Sequence, residues 1–292
     1  MASNTWKTYD SAVESLRKFR LLYDLPDIWP VPLHDIIQYI AYLSYELNSA
    51  STVNTYISGI SHVHKLYSME DHTKSFFVGK LIEGMKRKTP KNKDLRMPIS
   101  LNLLTKLIGA LSNICQSNYE TKLFASAFSL AFFGLLRVGE FTSENKGFPG
   151  LHVIKFHDIS IQNNEREEEL HLKICSSKTD QIGNATTLII CQQTNSIICP
   201  VRLMKSYLNI RQLGVESQLY VHFDDTRLTR YQFSAVLRKC LSFCEVPGHF
   251  KPHSFRIGGA TEAKRLGIND DTIKQWGRWS SSVYLNYIRL KV

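Results

Sequence analysis

No apolar stretch in this 292-residue chain approaches the roughly 18 residues that a membrane span requires. The N-terminus, Met1-Ala-Ser-Asn-Thr-Trp-Lys7, is without the charged-then-apolar order of a secretory signal. An intracellular protein with no membrane partner is the expectation. Cysteine is sparse and poorly spaced for metal: Cys115, Cys175, Cys191, Cys199, Cys240 and Cys244 form no CxxC pair, and only the last two stand one helical turn apart. A structural zinc site needs four ligands in short pairs, so the six read as reduced core thiols, with no metal and no cofactor. Neither an internal repeat nor a low-complexity tract is visible.

Positive charge is abundant. The chain carries a net charge of +10, with a pI near 9.3. Residues 1–85 hold seven Lys and Arg against nine Asp and Glu, residues 86–96 hold six against one, and residues 97–292 hold 23 against 16. An excess confined to one short run and one half of the chain gives a directional field that suits a polyphosphate partner. Charge alone does not separate such a partner from a solvated basic surface.

Hydrophobic periodicity divides the chain. Up to residue 85 it reads as a small helical bundle, best seen in Val53, Tyr56, Ile57, Ile60 and Val63, which recur at three- and four-residue steps between Ser51 and Tyr67. The next stretch, 86–98, has two prolines and the basic residues Lys86, Arg87, Lys88, Lys91 and Lys93, and reads as a linker able to follow a DNA backbone. A plain solvated tether fits the same composition. From residue 99 to 292 the pattern is helical again, with Leu123 to Val138 apolar on nearly every face and so central to its domain. Between Phe156 and Cys191 the period changes to that of three strands, with Lys178 on the turn before the last. The expected fold is mainly α: a helical N-terminal domain, then an α+β domain with one small antiparallel sheet.

The chemistry-bearing residues lie in that second domain. Arg137-Val-Gly-Glu140 places a carboxylate one turn from a guanidinium that emerges from an apolar segment. His253 and Arg256 are three apart and share a helix face, followed by Gly258-Gly259-Ala260, which allows close approach of another backbone or a DNA strand. Tyr287 closes the string Trp279-Ser-Ser-Ser-Val-Tyr-Leu-Asn-Tyr287. Two arginines can clamp phosphate oxygens while a phenol attacks phosphorus, and a phosphotyrosine bond conserves the energy of the bond it replaces. An ordinary structural Arg–Glu pair and a packing Trp279 are the alternatives at two of these positions.

Taken together, Arg137-Val-Gly-Glu140, Ser177-Lys178-Thr-Asp-Gln181, His253-Ser-Phe-Arg256-Ile-Gly-Gly-Ala-Thr261 and Gly277-Arg-Trp279 through Asn286-Tyr287-Ile-Arg289 resemble the tyrosine recombinase, or phage integrase, superfamily. The likeness is greatest to recombinases of eukaryotic mobile elements of the DIRS, Ngaro and Crypton kinds. The resemblance implies that Arg137 and Arg256 bind the scissile phosphate and that Glu140 supports the site. Lys178 is implied as general acid for the 5′-oxygen, and His253 as acid, base or phosphate donor. Trp279 falls where many members carry histidine or tryptophan, and Tyr287 is implied as the nucleophile in preference to Tyr284.

The resemblance also implies residues 1–85 as a core-binding DNA clamp and 99–292 as the catalytic domain. Double-stranded DNA is the expected partner, in a tetrameric synaptic complex, in the nucleus and with no small-molecule substrate. Five residues follow Tyr287, fewer than the C-terminal helix that many members pass between protomers, so assembly is expected only on DNA, through the N-terminal helices. Two rivals remain open: a type IB topoisomerase-like activity, and a domesticated, catalytically silent DNA-binding protein.

Overall fold

Four helices, α1 (Ser3–Leu22), α2 (Leu33–Tyr45), α3 (Ala50–Leu66) and α4 (Phe76–Lys88), build the first part of the chain in the computed structural model. The structure describes residues 3–88, 94–145, 153–164, 167–175, 185–212, 214 and 217–290. Two compact units result, Met1–Asp94 and Leu95–Val292.

In the first unit Val53, Ile57 and Ile60 are buried along α3, and Leu16, Phe19, Ile36 and Ile40 meet them from α1 and α2. Each such side chain contributes roughly 1.5–3 kcal/mol by leaving water. Ser49 starts α3 by accepting the Thr52 N–H at 3.1 Å. Behind this core sits a buried polar knot. His64 Nε2 accepts the Val31 N–H at 2.9 Å, and its Nδ1 lies 3.3 Å from an Asp71 oxygen. Asp71 also accepts from the hydroxyls of Ser61 and Thr73.

Helix α4 corrects the expectation of a linker beginning at residue 86. Lys86, Arg87 and Lys88 form its last turn, where cations favour the C-terminal end of the helix dipole, and Arg87 pairs with Glu83 one turn back. Lys91 and Lys93 lie outside the described residues.

The second unit is organised around α6 (Asn118–Phe133), which α5 (Leu101–Ile114) precedes. Every residue from Leu123 to Phe132 is buried, as an all-round apolar pattern requires. The helix ends earlier than that pattern predicts. Gly134 caps it, Leu135 turns into the left-handed region at φ 46°, and the short α7 (Val138–Phe141) follows. Leu135 and Leu136 are still core residues, so hydrophobicity continues beyond the helix and conceals its end.

A 3-10 turn (Phe156–Asp158) leads into strands β1 (Ile159–Asn163), β2 (Glu168–Ile174) and β3 (Thr186–Cys191), a sheet of order β1-β2-β3 with both pairings antiparallel. Leu170 opposes Ile190 and Leu172 opposes Leu188, so one sheet face enters the core, where α8 (Pro200–Leu208) covers it. Lys178, expected on the β2–β3 turn, lies outside the described residues.

Helices α9 (Arg230–Phe243), α10 (His253–Arg265) and α11 (Asp270–Gly277) complete the unit, with a 3-10 helix over Ser282–Tyr287. The Phe128 ring of α6 lies 5.2 Å from Phe233 of α9 and 4.9 Å from Phe255 of α10. This contact fixes the start of α10 on the domain centre. The two glycines of α10 explain how closely it packs: a Cβ on Gly258 would stand 2.0 Å from the Ile99 carbonyl oxygen, and one on Gly259 would stand 2.3 Å from that of Phe132. Their clearance serves protein backbone. No described helix is long and apolar enough to cross a membrane.

Candidate active site

The turn between α6 and α7 exposes carbonyls to the interior and places Arg137 at the N-terminal cap of α7. Glu140, buried one turn on, turns its carboxylate back: Oε2 accepts the Arg137 N–H at 2.9 Å and Oε1 accepts from the Arg137 guanidinium at 3.0 Å. The helix start is therefore capped by a charged pair in which the arginine keeps partial exposure. Its remaining donors can face a ligand.

Arg256 comes from the first turn of α10 and is fully buried. Its Nη1 donates to the Leu135 carbonyl and its Nη2 to that of Gly277, which joins the α6–α7 turn to the end of α11. Burial, then the neighbouring Arg137 and Arg278, push its pKa down from the ordinary value, against Glu140, which raises it. A guanidinium stays charged under such pressure, so the cluster stores unbalanced positive potential. An anion at this place would relieve it.

Arg278 is the member that the sequence reading left without a role. It ends α11 in the left-handed conformation, φ 55°, which sends consecutive side chains to different places. Its Nη2 donates to Glu140 Oε2 at 2.8 Å, and the group also reaches the Leu135 carbonyl at 3.3 Å. Two guanidiniums thus share one carboxylate, whose charge Arg256 also feels. Its sequence signal is the string Gly277-Arg278-Trp279.

Trp279 lies on the other side, with the Arg256 guanidinium carbon 4.2 Å from its ring centroid, in cation–π contact. Gly277 makes room, because a Cβ there would be 1.8 Å from the indole. The indole Nε1 is buried and has no partner among the described residues. Such a donor is costly unless something accepts from it.

Tyr287 ends the 3-10 helix, half-buried. Its ring centroid lies 5.0 Å from that of His253, 4.9 Å from that of Trp279 and 5.4 Å from the Arg256 guanidinium carbon. Tyr284 touches this group only through Trp279, at 6.3 Å between ring centroids. It is buried against Ala263 and Ile273.

The structure therefore brings Arg137, Glu140, His253, Arg256, Trp279 and Tyr287 together and adds Arg278. Lys86, Arg87 and Lys88 belong to the other unit, on an exposed helix end. Among the described residues no cluster of His, Cys, Asp and Glu could hold a metal ion. The arrangement can hold an anion between guanidiniums with a phenol at its edge.

The sequence matches no family model and no curated protein. Solved structures do resemble it. The XerH site-specific recombinase bound to a palindromic difH substrate, a post-cleavage complex, superposes with a TM-score of 0.66 at 15% identity, over 98% of this chain and 76% of that one. A lambda integrase dimer bound to a COC' core site gives 0.62 at 14%, over 99% and 72%. The Tn1549 transposon integrase in complex with a circular intermediate DNA gives 0.62 at 13%, over 99% and 90%. At such identities the likeness is one of architecture, and the chain has the fold of the tyrosine recombinases and integrases.

Proposed function

We propose that this chain is a site-specific DNA recombinase or integrase that cuts and rejoins double-stranded DNA through a 3′-phosphotyrosine. The observation that carries the reading is the Tyr287 ring set against His253, Arg256 and Trp279, with Arg137 and Glu140 beside the same buried guanidinium. A protein that only bound DNA would have no use for a phenol at that place.

In this reading Arg137 and Arg256 hold the non-bridging oxygens of the scissile phosphate, and the Trp279 N–H is a further donor. The Tyr287 oxygen attacks phosphorus, its bond to phosphorus forms as the bond to the 5′-oxygen breaks, and the phenol proton leaves through His253. Lys178, by its place in the family's motif, supplies the proton that the 5′-oxygen takes up. A second DNA end carrying a free 5′-hydroxyl reverses the step and closes the new strand.

The first unit, with Lys86, Arg87, Lys88, Lys91 and Lys93 in its last stretch of sequence, is assigned to clamping the duplex. Four such chains would pair two duplexes. The motif likeness to DIRS, Ngaro and Crypton elements favours integration or excision of a mobile element in a nucleus.

The test is a pool of nicked suicide duplexes with a randomised core, incubated with the full chain and resolved on a denaturing gel. A protein–DNA adduct that requires Tyr287 is expected. No adduct from any duplex would overturn the reading. A recovered duplex used in two copies then separates recombination from relaxation of a single plasmid.

A further inference from the structure

Helix α10 carries a threonine in its middle, where a β-branched hydroxyl residue is a weak helix former and its hydroxyl commonly turns back on the preceding turn. The hydroxyl of Thr261 points elsewhere. It donates to the carbonyl oxygen of Tyr287 at 3.2 Å, and the hydroxyl oxygen itself, Thr261 Oγ1, accepts the Arg289 N–H at 3.0 Å. One side chain thus brackets the backbone on both sides of Ile288.

Between those bonds lies Ile288, partly buried against Ala263, Ile273 and Tyr284, and it is the apolar anchor of this stretch. Leu285 and Leu290, on either side, leave about half or more of their surface in water, and the 3-10 helix ends at Tyr287. A terminal segment with few buried apolar contacts frays unless polar bonds tie it down. Thr261 belongs to the same helix as His253 and Arg256, two of the three residues set against the Tyr287 ring. The rigid helix that presents the guanidinium therefore also sets the position of the phenol relative to it.

We infer that Thr261 is a positioning residue, a hydroxyl latch that holds Tyr287 in line with the anion site of its own chain. The inference rests on the recombinase reading for its catalytic consequence, while the latch itself is a property of the protein without DNA. A small displacement of a nucleophile costs much in rate because attack on phosphorus tolerates little angular error. Removing the hydroxyl should therefore slow the chemical step and leave DNA binding alone.

The experiment compares Thr261→Val, which keeps shape and loses the hydroxyl, with Thr261→Ser, which keeps the hydroxyl. Hydrogen exchange of residues 285–290 is measured in the DNA-free full chain. Adduct formation is followed under saturating protein on the duplex recovered from the randomised pool, with binding measured by mobility shift. In the valine variant we expect faster exchange across 285–290 and adduct formation slowed about tenfold, at unchanged duplex affinity and melting midpoint. Serine should return both exchange and rate to the parent values. Unchanged exchange in the valine variant would refute the latch whatever the enzyme does. A parental adduct rate in that variant, or a serine variant as slow as valine, would refute its positioning role. Absence of adduct in the parent chain would count against the recombinase reading alone, since exchange still decides the latch.

Discussion

Arg278 and Glu140, far apart in sequence, meet at 2.8 Å with both side chains almost wholly out of water. The carboxylate that Arg137 uses to start α7 is thereby shared with the residue that ends α11. Removing one partner of a buried ion pair leaves the other charge uncompensated.

Arg278→Met should cost about 2–3 kcal/mol of stability, since it strips a donor from Glu140 and from the Leu135 carbonyl while preserving bulk. Denaturant unfolding of the full chain measures this. Arg137→Met, at a more exposed guanidinium, should cost less stability and depress adduct formation at least as much. Equal stability loss in the two variants would contradict the ranking.

Tyr287→Phe should abolish the covalent adduct while duplex affinity stays close to that of the parent, because only the nucleophilic oxygen is removed. Tyr284→Phe, which keeps the ring packed against Ala263 and Ile273, should keep both the adduct and the parental melting midpoint. The opposite pattern on a denaturing gel would reassign the nucleophile.

Gly277→Ala should displace the Trp279 indole, because the added Cβ would fall inside its ring. Overpacking of this kind costs about 1–3 kcal/mol. A change in tryptophan fluorescence and a loss of adduct, with duplex binding retained, are the expected signs.

His64 predicts a pH effect confined to the first unit. Burial pushes its pKa below the ordinary 6.5, outweighing the attraction of Asp71. The unfolded chain therefore takes up the proton first as pH falls, so the stability contributed by neutral His64 is complete above 6.5 and is lost between that value and its lower folded value. Burial alone would raise Asp71, but the Ser61 and Thr73 hydroxyls hold it below its ordinary value, so its own contribution persists to lower pH. His64→Gln, whose amide oxygen can still accept from Val31, should flatten the fall in thermal midpoint as pH drops below 6.5.

Lys178→Ala should slow cleavage of ordinary DNA far more than cleavage of a duplex whose 5′-leaving oxygen is replaced by sulfur, since a thiolate departs without a proton. Equal slowing on both substrates would remove Lys178 from the general-acid role.

Periodicity made most of the architecture readable. The α3 stripe, the apolar α6 and the alternation in β2 each follow from one repeat length, and each is found where that repeat puts it. His253 and Arg256 share the first turn of α10, as a three-residue spacing demands. What periodicity could not give were the breaks. The stop at Gly134 is masked because Leu135 and Leu136 continue the core outside any helix, and the end of α4 falls three residues beyond the expected boundary at 85 because its last turn is entirely basic. Arg278 was missed for a different reason: its role depends on a left-handed residue at the end of α11, which spacing rules for helices do not describe. Gly258 and Gly259 looked open to a DNA strand, and the structure fills that space with the Ile99 and Phe132 carbonyls.

Arg256 spends two of its donors on the carbonyls of Leu135 and Gly277, so the cation that the proposed function gives to a phosphate is also the rivet between the α6–α7 turn and the end of α11. Evolution cannot easily silence such a site by changing that arginine, because the loops would part and the domain would pay before the chemistry did. A lineage abandoning catalysis would be expected to lose the phenol first and keep the guanidinium. In relatives of this chain, an arginine at this position would then report an intact domain, and only the tyrosine would report a working one.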